Sequence, residues 1–250
     1  MIAIVGCGPS GLLAAHAVRQ TTKLKPMIYA TEKRPSKLSG AMYLHEPIEG
    51  ITPEHHDILV INKIGTAEGY AKKVYGHTDH PVSWHHFEAG PSPMWSLRVA
   101  YERLWHLYKT RIRAREINHI GLHELTQEFD KVICTAPKPR FCLKPDQHSF
   151  TAQPIWIRVV EHENIKGNFM TYNGEEDVPW YRSSHIDRVL SFEYATKPPF
   201  KGLLEGKKPI ENNCDCWPTV LWTGRFGSWT KGVLTHHVYA QVHDALYALL

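Results

Sequence analysis

The stretch Ile2-Ala3-Ile4-Val5-Gly6-Cys7-Gly8-Pro9-Ser10-Gly11 decides the fold. Its first four residues are apolar, as expected of a short strand buried on both faces. The glycines that follow have the Gly-x-Gly-x-x-Gly spacing. They allow a tight turn, the close approach of a pyrophosphate to the backbone, and tight packing of a helix on a strand. Helix-forming residues occupy positions 11–20. Strand, turn and helix in this order predict a dinucleotide-binding α/β unit.

A second apolar run and an acidic residue extend this unit. Residues 27–30 read as another buried strand, and Glu32 lies 21 residues after Gly11. A carboxylate at the end of the second strand can accept hydrogen bonds from the ribose hydroxyls of an adenosine. We therefore predict that Glu32 contacts the adenosine half of a dinucleotide.

The C-terminal part of the chain repeats the arrangement of strand, glycine turn and helix. An apolar run at 219–222 precedes Gly224-Arg225-Phe226-Gly227, and a helical pattern follows over 233–250. Backbone amides and the Arg225 guanidinium could reach the ribityl or pyrophosphate part of a long cofactor. A plain strand-to-helix turn is the alternative. The first glycine turn alone does not distinguish NAD from FAD, and this second motif favours FAD.

The middle of the chain supplies one more helix and one more strand of this domain. The spacing of apolar residues predicts a long amphipathic helix over 95–115, and residues 129–137 read as a strand that returns to the parallel sheet. The predicted fold class is α/β, with a Rossmann-like FAD-binding domain (a parallel sheet with flanking helices) and a small inserted α+β region that faces the substrate. The predicted division assigns 1–45, 96–140 and 218–250 to the FAD-binding domain, and 46–95 and 141–217 to the inserted region.

Composition narrows the class of protein. With 250 residues and 42% hydrophobic content, the chain can bury a full core. Its net charge of +4 suits phosphate-bearing ligands and is compatible with nucleic acid, although no basic run reads as a binding tail. The odd, scattered cysteines argue against a secreted disulfide scaffold. With no apolar run of about 18–20 residues and no signal-peptide pattern, we expect a cytoplasmic protein that does not bind membranes. The oligomeric state is left open.

Several segments together resemble the UDP-galactopyranose mutase family and, more broadly, the amine-oxidase-like FAD proteins. They follow the family's order along the chain: Glu32-Lys33-Arg34 with Ser39-Gly40, Lys73-Val74-Tyr75-Gly76-His77, residues 130–137, Val178-Pro179-Trp180-Tyr181-Arg182, and Gly224-Arg225 with Leu234 beyond. The resemblance implies FAD as the cofactor. It also implies that Arg182 grips an anionic group of the substrate.

The candidate site residues follow from the motifs and the resemblance together. The predicted cofactor-binding residues are Gly6, Gly8, Pro9, Ser10, Gly11, Glu32, Lys33, Arg34, Gly40, Ala41, Ala136, Gly224, Arg225 and Leu234. The predicted catalytic residues are Arg182, Tyr75, His77 and Lys231.

Three functions are compatible with these residues. The first is an FAD-dependent oxidoreductase or lyase that oxidises an amine or C–N bond of an anionic substrate, such as a nucleotide-like molecule or a modified base in DNA. The second is a non-redox reaction of the mutase type on a sugar nucleotide. Here the sequence departs from the family, because Thr230, Lys231 and Gly232 stand where the mutases have substrate-binding tyrosines. The third is a flavin-binding module without turnover.

Metal binding is considered and not predicted. His77, His80, His85 and His86 lie close together in sequence, and Cys214-Asp215-Cys216 lies elsewhere. Zinc sites usually contain pairs of the Cys-x-x-Cys type, and these segments match that spacing poorly.

Overall fold

A computed structural model describes residues 1–31, 38, 40–76, 84, 88–161 and 165–248. The strands are β1 Ile2–Val5, β2 Met27–Ala30, β3 Tyr43–Leu44, β4 Asp57–Gly65, β5 Gly90–Ser96, β6 Ile112–Ala114, β7 Lys131–Cys134, β8 Phe150–Glu161, β9 Asn168–Gly174, β10 Arg182–Ile186, β11 Val189–Tyr194, β12 Leu204–Asn212 and β13 Leu221–Trp222. The helices are α1 Pro9–Thr22, α2 Ala67–Tyr75, α3 Leu97–Tyr108, α4 His119–Glu128, α5 Gly224–Ser228 and α6 His237–Tyr247. Short 3-10 turns occupy Lys109–Arg111 and Lys138–Phe141.

The first sheet is parallel and has the strand order β13-β7-β1-β2-β6. Chain order therefore runs outward from β1 to β2 and β6, and then restarts on the other side at β7 and β13. In such doubly wound sheets, ligands bind outside the carboxyl ends of the strands at the point where this order reverses. That point lies between β1 and β7, directly at the glycine turn. The predicted parallel sheet with flanking helices is confirmed.

The alternation of side chains along β1 explains why helices cover both faces of this sheet. Ile2 and Ile4 contribute to one apolar cluster, which also contains residues of α1, α3 and α6. Ala3 and Val5 contribute to a second cluster, together with residues of α4 and β7. Since consecutive side chains of a strand point to opposite faces, an all-apolar strand requires a packed layer on each side.

The predicted helix over 95–115 is wrong at its C-terminal end. α3 begins at Leu97 after the Ser96 side chain accepts a hydrogen bond from the Val99 amide, and it ends at Tyr108. Ile112–Ala114 instead form the edge strand β6, where Ile112 pairs with Ile28. The apolar Ile112 fits the helical spacing of α3 equally well, but pairing with β2 also satisfies its backbone groups. The last helix is likewise shorter than predicted and begins at His237.

The second sheet has eight strands, in the order β12-β8-β11-β10-β9-β4-β5-β3. Its described pairings are antiparallel apart from β4 with β9. Helix α2 packs on this sheet through Tyr70, Ala71 and Val74, which belong to a third apolar cluster. This part of the chain contains more strands than the sequence predicted. The predicted division of the chain at 45, 95, 140 and 217 stays a prediction.

Among the described residues, none of the helices is both long enough and apolar enough to cross a membrane.

Candidate cofactor and substrate site

The first glycine turn has the geometry that its spacing predicts. Gly6 has a φ of 110°, and its amide donates to the Tyr29 carbonyl over 2.8 Å. A Cβ on Gly11 would lie 2.0 Å from the Gly6 carbonyl oxygen. A Cβ on Gly8, in contrast, would meet nothing within 4 Å. Gly6 and Gly11 are therefore required by the fold, whereas Gly8 faces open space beside the turn.

The N-terminus of α1 points into this space without a side-chain cap. Gly8 is the N-cap residue, Pro9 begins the helix, and the first turn contains no acidic residue. The first amides of a helix lack partners within the helix and carry partial positive charge. This end of α1 is therefore suited to bind a phosphate group.

The second glycine motif lies directly against the first. A Cβ on Gly224 would lie 2.8 Å from the Ser10 Oγ, and one on Gly227 would lie 2.4 Å from the Cys134 carbonyl oxygen. Helix α5 thus packs closely on the start of α1 and on the end of β7, two residues before Ala136. The carboxyl ends of β1, β7 and β13 and both motifs form one continuous surface.

Arg225 adds a cation with one unpaired nitrogen to this surface. Its Nε is buried and lacks a hydrogen-bond partner among the described residues. Burial lowers the pKa of Arg225, and repulsion from Arg182 lowers it further. A buried polar nitrogen without a partner is destabilising unless a ligand supplies an acceptor. The arrangement therefore favours an anionic or oxygen-rich ligand beside Arg225.

Arg182 belongs to a charged cluster inside the second sheet, which we call the Arg182 cluster: Arg182, Glu193, Lys208 and Tyr181. Arg182 and Glu193 lie directly opposite each other on β10 and β11 and form an ion pair. Lys208 donates to the Glu193 carboxylate over 2.7 Å and to the Tyr181 hydroxyl over 2.6 Å. The Tyr181 hydroxyl donates to Glu193 over 2.9 Å. The Glu193 side chain is only 3% exposed.

Positively charged groups outnumber negatively charged ones among the described residues in and around this cluster. Burial opposes ionisation of Glu193, but Arg182 and Lys208 hold the pKa of this carboxyl well below its usual range. Burial and repulsion from Arg182 lower the pKa of Lys208 to about 7, against the opposing effect of Glu193. Within the described part of the chain, Arg182, Lys208 and Arg225 thus share the Glu193 carboxylate. The arrangement of these cations therefore favours an additional anion at the site.

Tyrosine side chains surround Arg182. Tyr172 and Tyr43 both interact electrostatically with the guanidinium, and Arg182 is hydrogen-bonded to the Tyr172 hydroxyl. Burial raises the pKa of Tyr43 to about 12. Tyr70 packs edge-on against Tyr172 and Tyr181. Burial likewise raises the pKa of Tyr172, so Tyr43 and Tyr172 stay neutral and offer hydroxyl groups to an oxygen-rich ligand.

The structure also brings two other predicted residues together. The Lys231 ammonium lies 4.3 Å from the centre of the Tyr75 ring, in a cation–π contact. Tyr75 in turn interacts electrostatically with Arg225. Tyr75, Lys231, Arg225 and Arg182 therefore share one neighbourhood.

Gly40 and Ala41 link the loop after β2 to the same region. Gly40 has a φ of 83°, and a Cβ there would lie 3.3 Å from the Glu193 Oε1. Ala41 packs on the apolar cluster of the second sheet. The predicted cofactor segment thus reaches the Arg182 cluster.

The structure gives little information about five of the predicted residues. The Leu234 amide donates to His237 Nδ1 over 3.2 Å in the turn before α6. Glu32, Lys33, Arg34 and His77 lie outside the described residues, so their predicted roles stay predictions.

Sequence reasoning missed Glu193 and Lys208. The signal available was weak: Glu193 stands among alternating residues of a strand, between the aromatic Phe192 and Tyr194. An acid that faces a core requires a cationic partner. Only the register of β10 and β12 shows that the partners are Arg182 and Lys208.

Comparison with known proteins bears on the fold. No protein-family model and no curated protein matches the chain. The solved structures that match include a reduced UDP-galactopyranose mutase, at a TM-score of 0.55 and 11% identity, with 99% of this chain and 93% of that one covered. The chain therefore shares its fold with this structure.

Two further structures support this assignment. The Y270A mutant of 2-methyl-3-hydroxypyridine-5-carboxylic acid oxygenase matches at a TM-score of 0.53 and 11% identity, with 99% of this chain and 85% of that one covered. The tryptophan 5-halogenase MibH matches at 0.57 and 12% identity, over 100% of this chain and 66% of that one. The predicted resemblance is confirmed at the level of the fold, and identities this low carry no information about the reaction.

Proposed function

We propose that this protein is an FAD-dependent enzyme that oxidises a carbon bound to nitrogen in an anionic, nucleotide-like substrate. The observation that supports the proposal is the contact between the two glycine motifs, which brings the uncapped N-terminus of α1 close to Arg225 and its unpaired Nε. The surface that both motifs form continues to the cationic Arg182 cluster. A long cofactor with phosphates and a polar ring system fits both ends.

The residues fit FAD in chemical terms. The amides at the start of α1, with Gly8, would hold the pyrophosphate. The buried Arg225 Nε, which lacks an acceptor, would donate to an oxygen or nitrogen of the cofactor. When bound, FAD would accept a hydride from a substrate carbon.

Substrate binding is assigned to the cations beyond the cofactor. Arg182, fixed by Glu193, presents a planar guanidinium suited to phosphate or carboxylate oxygens. Lys231 lies at the exposed side of the same region, against the Tyr75 ring. Both cations would orient an anionic substrate, and both would repel a positively charged group of the substrate.

Lys208 is assigned a role in proton transfer. An amine is protonated at neutral pH and must lose a proton before it can be oxidised. Because its pKa is lowered to about 7, Lys208 is partly neutral there and can accept this proton. In the net reaction the substrate loses a hydride and a proton, and addition of water to the resulting imine releases a carbonyl compound and an amine.

A non-redox reaction on a sugar nucleotide is the second candidate. The observation that favours it is the grouping of Tyr43, Tyr172 and Tyr181 around Arg182, because phenols and a guanidinium together suit a diphosphate. Neutral hydroxyl groups of this kind would bind a sugar nucleotide through hydrogen bonds alone, without the proton transfer that the amine oxidation requires.

Anaerobic spectroscopy of the purified protein tests the proposal. We expect the protein to retain oxidised flavin and to lose its visible absorbance when a nucleotide bearing an alkylamine is added. The same amine presented in DNA distinguishes a free nucleotide from a nucleic acid substrate. Turnover of a UDP-sugar only after reduction with dithionite would support the second candidate. Failure to retain or take up FAD would refute both.

A further inference from the structure

A group of cysteine and histidine side chains lies in the β7–β8 and β12–β13 connections. Cys142, His148, Cys214 and Cys216 place one ligand atom each within 4.8 Å of all the others. None of these cysteines forms a disulfide bond. The proposed flavin chemistry uses none of the four residues.

The distances agree with the edges of a metal tetrahedron. His148 Nδ1 lies 3.3 Å from the Cys142 Sγ and 3.4 Å from the Cys216 Sγ. With Zn–S bonds of about 2.3 Å and Zn–N bonds of about 2.0–2.1 Å, tetrahedral geometry gives an S–N separation of roughly 3.6 Å. The side chains therefore already stand near the positions that a single zinc ion requires.

The surroundings of His148 match those of a metal ligand. Both sulfur contacts involve Nδ1, while Nε2 lies 3.4 Å from the Asp215 carboxylate. Histidines that bind metals commonly donate their other ring nitrogen to a carboxylate, which fixes the tautomer. The Leu143 amide donates to the Cys216 Sγ over 3.3 Å, as expected for a sulfur that carries negative charge.

The cluster joins two of the four connections between the sheets. Cys142 and His148 lie where the chain leaves β7 for β8, and Cys214 and Cys216 lie where it returns from β12 to β13. The pairing of Asn212 with Phe150 brings the two connections together. The Ser149 amide donates to Asn213 Oδ1 over 2.7 Å beside the cluster. A metal here would hold the β7–β8 connection to the β12–β13 connection at one point.

We propose that Cys142, His148, Cys214 and Cys216 bind one structural zinc ion that holds the β7–β8 connection to the β12–β13 connection. Three thiolates and one imidazole form a closed, four-coordinate set of the type that structural zinc sites use. With four protein ligands, no position is left for a substrate. The ion stabilises the fold and does not take part in the flavin reaction.

Metal analysis of protein purified under reducing conditions without chelators tests this directly. We expect about one zinc per chain, and X-ray absorption should give three sulfur ligands at about 2.3 Å and one nitrogen at about 2.0–2.1 Å. Less than about 0.1 zinc per chain, without uptake from added Zn²⁺, would overturn the proposal. So would a disulfide within the cluster in freshly isolated protein, or uptake of iron but not zinc.

Variants separate loss of the metal from loss of the fold. Cys216→Ser and His148→Ala should lose zinc, whereas Cys134→Ala and His123→Ala, which change residues outside the cluster, should retain it. Asp215→Asn is the critical variant, because the Asp215 side chain is 88% exposed and its replacement should not disturb folding. We expect it to bind zinc about 10–100-fold more weakly in competition with a chelator. Asp177→Asn is its control. Equal zinc affinity in both would refute the role of Asp215, and full zinc content in Cys216→Ser would refute the site itself.

Discussion

Gly224 packs against Ser10 so closely that a Cβ on Gly224 would lie 2.8 Å from the Ser10 Oγ. The two residues come from opposite ends of the chain, and each lies at the first turn of a helix that follows a strand of the parallel sheet. Their contact fixes α5 relative to α1. It therefore also fixes Arg225 relative to the open amides of α1, and this relation is the basis of the proposed cofactor site.

Gly8→Ala should weaken flavin binding without disturbing the fold. Gly8 has a φ of −67° and a ψ of −179°, which any residue adopts, and its Cβ would meet no protein atom within 4 Å. The added methyl group would instead occupy the space assigned to the pyrophosphate. We expect FAD affinity to fall at least tenfold, or about 1.4 kcal/mol, with an unchanged melting temperature.

Gly121→Ala is the matched control for this measurement. Gly121 lies in α4, away from the glycine turn, and a Cβ there makes ordinary contacts of at least 3.5 Å. It should retain FAD fully. Equal flavin content in Gly8→Ala and Gly121→Ala would place the cofactor elsewhere.

Gly11→Ala should show the opposite behaviour and damage the fold itself. Its Cβ would lie 2.0 Å from the Gly6 carbonyl oxygen, and backbone cannot move aside without separating α1 from β1. Overpacking of this kind destabilises by about 1–3 kcal/mol or more. Urea unfolding of the apoprotein measures the loss, and a free energy of unfolding equal to that of the wild type would contradict the turn geometry.

Local sequence patterns were sufficient to predict the glycine turn and its neighbours. An apolar run, glycines at fixed spacing and helix formers each act within about ten residues, so β1 and α1 follow from short-range sterics and burial. The prediction of a helix over 95–115 was wrong at its C-terminal end because local patterns do not show long-range pairing. Ile112 satisfies a helical period locally, and only its pairing with Ile28 shows that it belongs to a strand.

The Arg182 cluster could not be predicted in the same way. Arg182 faces Glu193 because β10 and β11 pair in one particular register, and Lys208 arrives on β12 from the far side of β8. A shift of one residue would turn each of these side chains to the other face. Long-range register therefore determines this site, as it does the cluster of Cys142, His148, Cys214 and Cys216.

Arg225→Met should weaken FAD binding while leaving the apoprotein as stable as the wild type or more stable. The Arg225 Nε is buried without a partner, and the guanidinium is repelled by Arg182. Removing it relieves both effects in the absence of cofactor. We expect at least a tenfold loss of FAD affinity and an equal or higher melting temperature. A large drop in apoprotein stability would show that Arg225 serves the fold. Arg140→Met, at a half-exposed surface position, is the control.

Lys208 should set the pH dependence of the reaction. Its pKa is lowered to about 7, so the neutral form that accepts a proton increases as pH rises through 7, and the rate should rise with it. Lys208→Gln should remove this inflection. Glu193→Gln should move it to lower pH, because Glu193 opposes the lowering of the Lys208 pKa. Lys207→Gln changes an exposed neighbour and should leave the profile unchanged.

The stability of the protein should depend on the same group with a defined sign. The unfolded chain holds the Lys208 proton up to its ordinary pKa of 10.5, whereas the folded protein releases it near 7. Between these values the unfolded state binds more protons, so the free energy of unfolding should rise with pH across this window. In Lys208→Gln this contribution should disappear, while Lys207→Gln should keep it. If wild type and Lys208→Gln gave the same pH profiles of both rate and stability, Lys208 would have an ordinary pKa and no part in proton transfer.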